Sequence, residues 1–183
     1  YNSDKPTKVW GFELEHQANM TFLPGLLQYL VLGYNFSIVR SETHIINSRI
    51  DKETIPYFPF TRLKVVLFDQ KQKLEGQPEF FGNAQIGYDI AGFSARLSVF
   101  YQGKFNTGFS FDSRNDQEQG SFTKWDFVVK QKVTDNVSLM LNINNFSSVE
   151  EEGFLKNNFT GWRILDGSEK YGMTIDFGVR VTL

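Results

Sequence analysis

From Tyr171 to Leu183 the chain alternates without exception. Tyr171, Met173, Ile175, Phe177, Val179, Val181 and Leu183 are large and apolar, while Gly172, Thr174, Asp176, Gly178, Arg180 and Thr182 are small, polar or charged. Successive strand side chains point to opposite faces, so this run predicts a strand with one apolar and one wet face. At roughly 3.3 Å per residue it would be about 43 Å long. Ordinary strands have about 5 to 6 residues, whereas a tilted strand crossing a bilayer needs about 9 to 11.

The same period recurs along the chain. Trp10, Phe12, Leu14, His16, Ala18, Met20 and Phe22 oppose Glu13, Glu15, Gln17, Asn19 and Thr21, predicting a strand over Val9–Phe22. Leu23-Pro24-Gly25 breaks it, since Pro lacks a ladder donor and Gly permits positive φ. A second strand, about Leu30–Val39, follows. Residues 40–77, which hold Pro56, Pro59 and Gly76, read as a long irregular stretch in which Leu63, Val65 and Leu67 form a short strand of a loop hairpin. Phe80–Ile90 and Phe93–Gln102 flank Ala91-Gly92, and a two-residue turn would pair Ile90 with Phe93, Tyr88 with Ala95, Ile86 with Leu97 and Ala84 with Val99. Asp89 then lies diagonal to Arg96, within reach of a charge pair, and a slip of one residue would destroy the agreement. After a polar loop at 103–121, Thr123–Val133 and Val137–Asn144 flank Thr134-Asp135-Asn136, pairing Val129 with Leu141 and Phe127 with Ile143. A third long loop, 147–170, leads to the final strand.

The fold class is therefore all-β: an antiparallel up-and-down meander of about seven long strands. With seven, every short connection falls on one rim and every long one on the other, as in a transmembrane β-barrel with short periplasmic turns and long extracellular loops. The wet face carries Glu13, Glu15, Asp89, Arg96, Lys124, Asp126, Lys130, Asp176 and Arg180, as an aqueous lumen would. Trp10, Tyr34, Phe36, Tyr88, Tyr101, Trp125 and Tyr171 on the apolar face suit an interfacial girdle. Seven strands make only a partial wall of a large transmembrane β-barrel, with two edges in need of partners.

Composition narrows the chemistry. The formal charge of -2 over 183 residues argues against a nucleic-acid footprint. With no cysteine there is no disulfide framework and no thiolate site. Aromatics at 16% exceed the need of a soluble core. The mean hydropathy of -0.33 does not argue against a membrane, because a barrel strand hides its apolar half by alternation. The opening Tyr-Asn-Ser-Asp-Lys-Pro has no initiating Met or signal peptide, which suggests a mature piece or fragment. His16 and His44 lack metal spacing. Asp112, Asp116 and Glu118 lack the pattern of a calcium loop and, like Glu150–Glu152, read as solvated loop charge. No catalytic constellation, metal site or cofactor motif is present, and an enzyme is not expected.

Several stretches together resemble the C-terminal barrel of TonB-dependent outer-membrane receptors, most closely those of Bacteroidetes-type bacteria. They are Leu23-Pro24-Gly25-Leu26-Leu27, Gly76-Gln77-Pro78, Ile86-Gly87-Tyr88-Asp89 with Gly92-Phe93-Ser94-Ala95-Arg96, Leu141-Asn142-Ile143-Asn144-Asn145, and Tyr171 to Arg180. The resemblance covers essentially the whole chain. It implies that residues 1–183 are the C-terminal segment of a barrel of about 22 strands, without its plug domain and earlier strands. The final strand resembles the family's signal for the outer-membrane assembly machinery at Asp176, Phe177, Gly178, Val181 and Leu183, with Leu183 in place of the usual terminal aromatic.

The implied function is TonB-dependent uptake of a scarce ligand, such as a siderophore, a cobalamin or an oligosaccharide, across the bacterial outer membrane. Implied partners are outer-membrane lipid, the assembly machinery, the plug of the same chain and, through it, TonB. Tyr57, Phe58, Phe60, Phe109, Phe111, Trp162 and Arg163 are the candidate capture residues in the loops. They would equally serve to pack the loops together. Two other classes remain open. A small closed barrel with a structural or adhesive role needs Leu63–Leu67 as an eighth wall strand and a first strand bonded to the last. A soluble lipocalin-like lipid carrier needs a dry interior.

Overall fold

The computed structural model describes residues 5–182. Twelve strands succeed one another: β1 (Lys8–Asn19), β2 (Leu30–Thr54), β3 (Thr61–Gln72), β4 (Phe80–Ile90), β5 (Phe93–Gln102), β6 (Phe105–Gly108), β7 (Asp116–Gln119), β8 (Phe122–Lys132), β9 (Val137–Asn144), β10 (Glu150–Lys156), β11 (Arg163–Lys170) and β12 (Thr174–Val181). A 3-10 turn, Gly25–Tyr29, precedes β2.

Seven strands form one antiparallel wall in the order β1-β2-β4-β5-β8-β9-β12, the expected meander. Its short connections share one rim and its long ones the other. Around Ala91-Gly92, where both φ angles are positive (47° and 80°), Ile90 pairs with Phe93, Tyr88 with Ala95, Ile86 with Leu97 and Ala84 with Val99. Val129 faces Leu141 and Phe127 faces Ile143, as the turn at 134–136 requires.

These registers line up across the whole wall. Ala18, Leu32, Ile86, Leu97, Phe127, Ile143 and Ile175 are successive cross-strand partners, one from each strand. None of the described residues forms a layer over this row. Among the described residues only Val31 and Val149 are buried apolar side chains, while Ile86, Ile175 and Phe177 are 45%, 59% and 69% exposed. A soluble sandwich or lipid carrier would bury this face against a second layer. Toward the long-connection rim an aromatic chain crosses four strands: Phe12 on Phe36, Phe36 on Phe80 and Phe80 on Tyr101, with centroids 6.2, 6.1 and 5.7 Å apart. His16 belongs to the apolar face too, its ring 5.4 Å from that of Tyr34.

The wall does not close. β1 pairs with β2 and β12 with β9, and the two do not pair with each other. β3 pairs with β2 alone, lengthening the wall rather than widening it. This excludes the closed eight-strand barrel.

Four expectations need correction. β2 does not end near Val39; it runs 25 residues, and 40–72 form a regular two-stranded arm rather than an irregular stretch. Beyond its root, where Asn47 and Ser48 are buried, both faces of the arm meet solvent, so the strict alternation that marks the wall is absent. Its strands are recognisable instead by β-branched residues such as Thr43, Ile45, Ile50, Thr61, Val65 and Val66. Segments 103–121 and 147–170 are not plain loops, because each folds into a hairpin and the two join as a sheet ordered β11-β10-β7-β6. The first strand stops at Asn19, leaving Phe22 in the turn and 77% exposed. The last strand starts at Thr174 rather than Tyr171. Its partner β9 ends at Asn144, because Asn145 turns to φ 54° and its Nδ2 donates to the carbonyls of Tyr171 (2.7 Å) and Gly172 (3.3 Å) in place of a ladder.

Candidate functional site

All three long connections meet at one rim and are tied to one another by side chains. β3 to β4 passes through 73–79, where the Gly76 N–H donates to Asn106 O at 2.8 Å and the Phe109 N–H donates to Glu75 at 3.2 Å. The arm is held by a buried amide: Asn47 Nδ2 donates to Ser113 Oγ (2.7 Å) and to Gln70 Oε1, while Ser113 Oγ donates to the same Gln70 oxygen at 2.9 Å. Asn47 is 2% exposed and Ser113 fully buried. The Ser48 N–H adds a bond to Phe111 O at 3.0 Å.

The hairpin sheet has its own buried polar anchors. Asp116, 1% exposed, accepts from the Ser110 N–H (2.8 Å), Ser110 Oγ (3.0 Å) and Asn158 Nδ2. Glu118 accepts from Arg163 Nε at 2.8 Å, and the Arg163 guanidinium lies over the Phe154 ring at 3.1 Å. Asp116 and Glu118 are thus buried joints between β7 and the β10–β11 hairpin, not the solvated loop charge expected of them. Where this sheet meets the wall, a recess of about 310 Å³ is lined by Phe100, Phe122, Lys124, Val149, Glu151 and Tyr171 among others.

The capture candidates fall into two groups. Tyr57, Phe58 and Phe60 occupy the arm tip, closed by the Ile55 N–H to Phe60 O (2.9 Å) and the Phe60 N–H to Tyr57 O (2.7 Å). Phe58 is 86% exposed and packs edge-on against Phe60 at 6.1 Å. Phe111 and Trp162 lie at the base, both exposed, with Phe109 half-buried beside them. From Asn47 the tip is about 25 Å farther out, at roughly 3.3 Å per residue, so the seven residues do not converge on one pocket. Arg163 is committed to Glu118 and Phe154, and is a joint of the sheet as much as a ligand contact.

The nine charged residues assigned to the wet face do share one face by register. Glu15 lines up with Asn35, Asn83, Phe100 and Lys124; Asp89 with Ser94 and Lys130; Arg96 with Val128, Asn142 and Asp176. Glu13 pairs with Ser37, Asp126 with Ser98 and Arg180 with Ser138, which places the rest. Arg96 grips Asp89 with both terminal guanidinium nitrogens, Nη1 and Nη2, at 2.8 and 2.5 Å. Its side chain lies across Gly87, where an added Cβ would come within 2.6 Å of it. Asp126 accepts the Asn145 N–H at 2.7 Å and so fixes the turn that ends β9. Of the assembly-signal residues, Asp176, Phe177, Gly178 and Val181 lie on β12; Leu183 is outside the described residues. No group of acidic residues and histidines suited to a metal occurs among the described residues.

Asn47, Gln70, Ser113 and Asn158 give no sequence signal, because their partners are 42 or more residues away or, for Gln70, 23 away on the opposite arm strand. Asn145 could have been found, since an Asn-Asn pair ending an alternating run marks a residue able to turn to positive φ.

Residues 1–146 match the family described as TonB dependent receptor-like, beta-barrel. No curated protein and no solved structure matches the chain.

Proposed function

The chain belongs to the TonB-dependent receptor β-barrel family, an outer-membrane family of transporters and not of enzymes, and on that premise we propose that it is the C-terminal wall segment and external loops of an importer. The ligand is a scarce one of siderophore, cobalamin or oligosaccharide type. In the full-length receptor a plug domain fills the lumen and relays TonB's pull. The nine wet-face charges line the lumen against that plug, and Asp176, Phe177, Gly178, Val181 and Leu183 are read by the assembly machinery. The aromatic tip of the arm makes first contact with ligand, and the base holds it.

One observation carries this reading: an apolar row seven strands wide that no other described part of the fold covers, backed by a face on which nine charged residues stand in register. Only hydrocarbon on one side and water on the other suits both. The test is a nitroxide scan of the full-length receptor in lipid. Probes at Ile86, Leu97, Phe127 and Ile143 should be accessible to oxygen and shielded from a polar nickel chelate, with the reverse at Ser98 and Asn142. Equal accessibility on the two faces would remove the wall assignment.

A further inference from the structure

The three long connections meet at a patch of cations that the neighbouring carboxylates do not balance. Glu79, on the connector into β4, holds both Arg40 of β2 and Lys73 of the connector itself. Glu118 lies 2.8 Å from Arg163 Nε and 3.7 Å from Lys104 Nζ. Lys156 is the cross-strand partner of Arg163 on one side and of Asp116 on the other. Asp116 cannot serve Lys156 fully, because its oxygens already take donors from Ser110 and Asn158. Five cations thus face Glu79, Glu118 and Asp116, with Glu75 on the connector turned to the Phe109 N–H.

The crowding is felt by Lys73. Partial desolvation, and then repulsion from Arg40, Lys156 and Lys104, holds its ammonium below the ordinary lysine range. Excess positive charge on exposed side chains suits a negatively charged guest. The two carboxylates pin the guanidinium groups, while Lys73, paired with Glu79, and Lys104, 3.7 Å from Glu118, keep largely exposed side chains.

We propose that this patch binds a multivalent oxyanion, through Lys73, Lys104 and Lys156 together with the pinned Arg40 and Arg163. This rests on the import reading above. The same chemistry is offered by a diffusible anionic ligand and by the phosphates of an outer-leaflet lipid headgroup.

The experiment titrates full-length receptor in neutral detergent with citrate, with pyrophosphate and with the neutral trisaccharide raffinose, at low and high salt. Both anions bind, high salt weakens them, and raffinose does not displace them. Lys104→Gln combined with Lys156→Gln weakens citrate and pyrophosphate about tenfold or more, while Lys52→Gln on the arm leaves them unchanged. Heat-modifiable gel mobility checks that the variants are folded. Competition of pyrophosphate by vesicles containing a phosphorylated lipid, but not by zwitterionic ones, assigns the site to a headgroup; its absence assigns it to a diffusible ligand. No anion binding, or equal binding by the double variant, overturns the proposal. A receptor that passes the nitroxide scan yet binds no anion sinks this inference alone, whereas one that fails the scan sinks the reading beneath it.

Discussion

Leu97, in the middle of the wall, and Asn47, at the root of the arm, are held by opposite means. Leu97 has apolar partners at its own height on both sides, Ile86 and Phe127, and belongs to a row that repeats the same chemistry on every strand. Asn47 is nearly fully buried among unlike polar groups that the chain brings from 23 and 66 residues away. The wall is stabilised by a boundary between two solvents, which acts on every second residue alike. The rim is stabilised by particular hydrogen bonds, each made once. A wall built the first way tolerates exchange of one apolar residue for another, while a rim built the second way fails when a single donor is lost.

The largest expected effect breaks the wall's sidedness. Leu97→Arg should cost about 2–4 kcal/mol in lipid, whereas Ser98→Arg, one residue on, should cost little. Urea unfolding of the full-length receptor in vesicles reads both, and similar costs for the two would mean the faces do not meet different solvents. At the rim, Asn47→Ala removes two of the three bonds that join Asn47, Gln70 and Ser113 and should loosen the arm by about 1–3 kcal/mol. Amide exchange should quicken in 43–72 and 110–114 while β4, β5 and β8 stay protected.

Arg96→Ala tests an interaction on the wall's wet face that depends on one partner. Loss of its two-pronged grip on Asp89, in a half-exposed setting, should cost about 1 kcal/mol, seen as a lower urea midpoint with the fold retained. The smallest effect is acid loosening of the arm near its tip. Arg62 donates to Glu53 at 2.6 Å and, with Lys64 nearby, holds that carboxyl below its usual range. A folded pKa below the unfolded one means the support is complete above the ordinary carboxylate range and is lost as pH falls through the depressed value. Amide exchange at 52–63 should therefore rise on acidification before exchange in the wall does, and Glu53→Gln should remove the pH dependence.

The alternation over β4, β5, β8 and β9 was enough to set strand number, order and register, down to the Asp89–Arg96 pair. Even-and-odd patterning is imposed residue by residue by the solvent each face meets, so it is written locally. The arm was harder to read, because beyond its buried root neither of its faces has a layer against it and no alternation is enforced. The end of β9 at Asn145, the late start of β12, the joining of two distant connections into one sheet and the cation patch at their meeting place were decided only in three dimensions. Each depends on a hydrogen bond or a charge supplied by a residue remote along the chain, and a polar residue looks the same in sequence whether its partner is water or a buried amide.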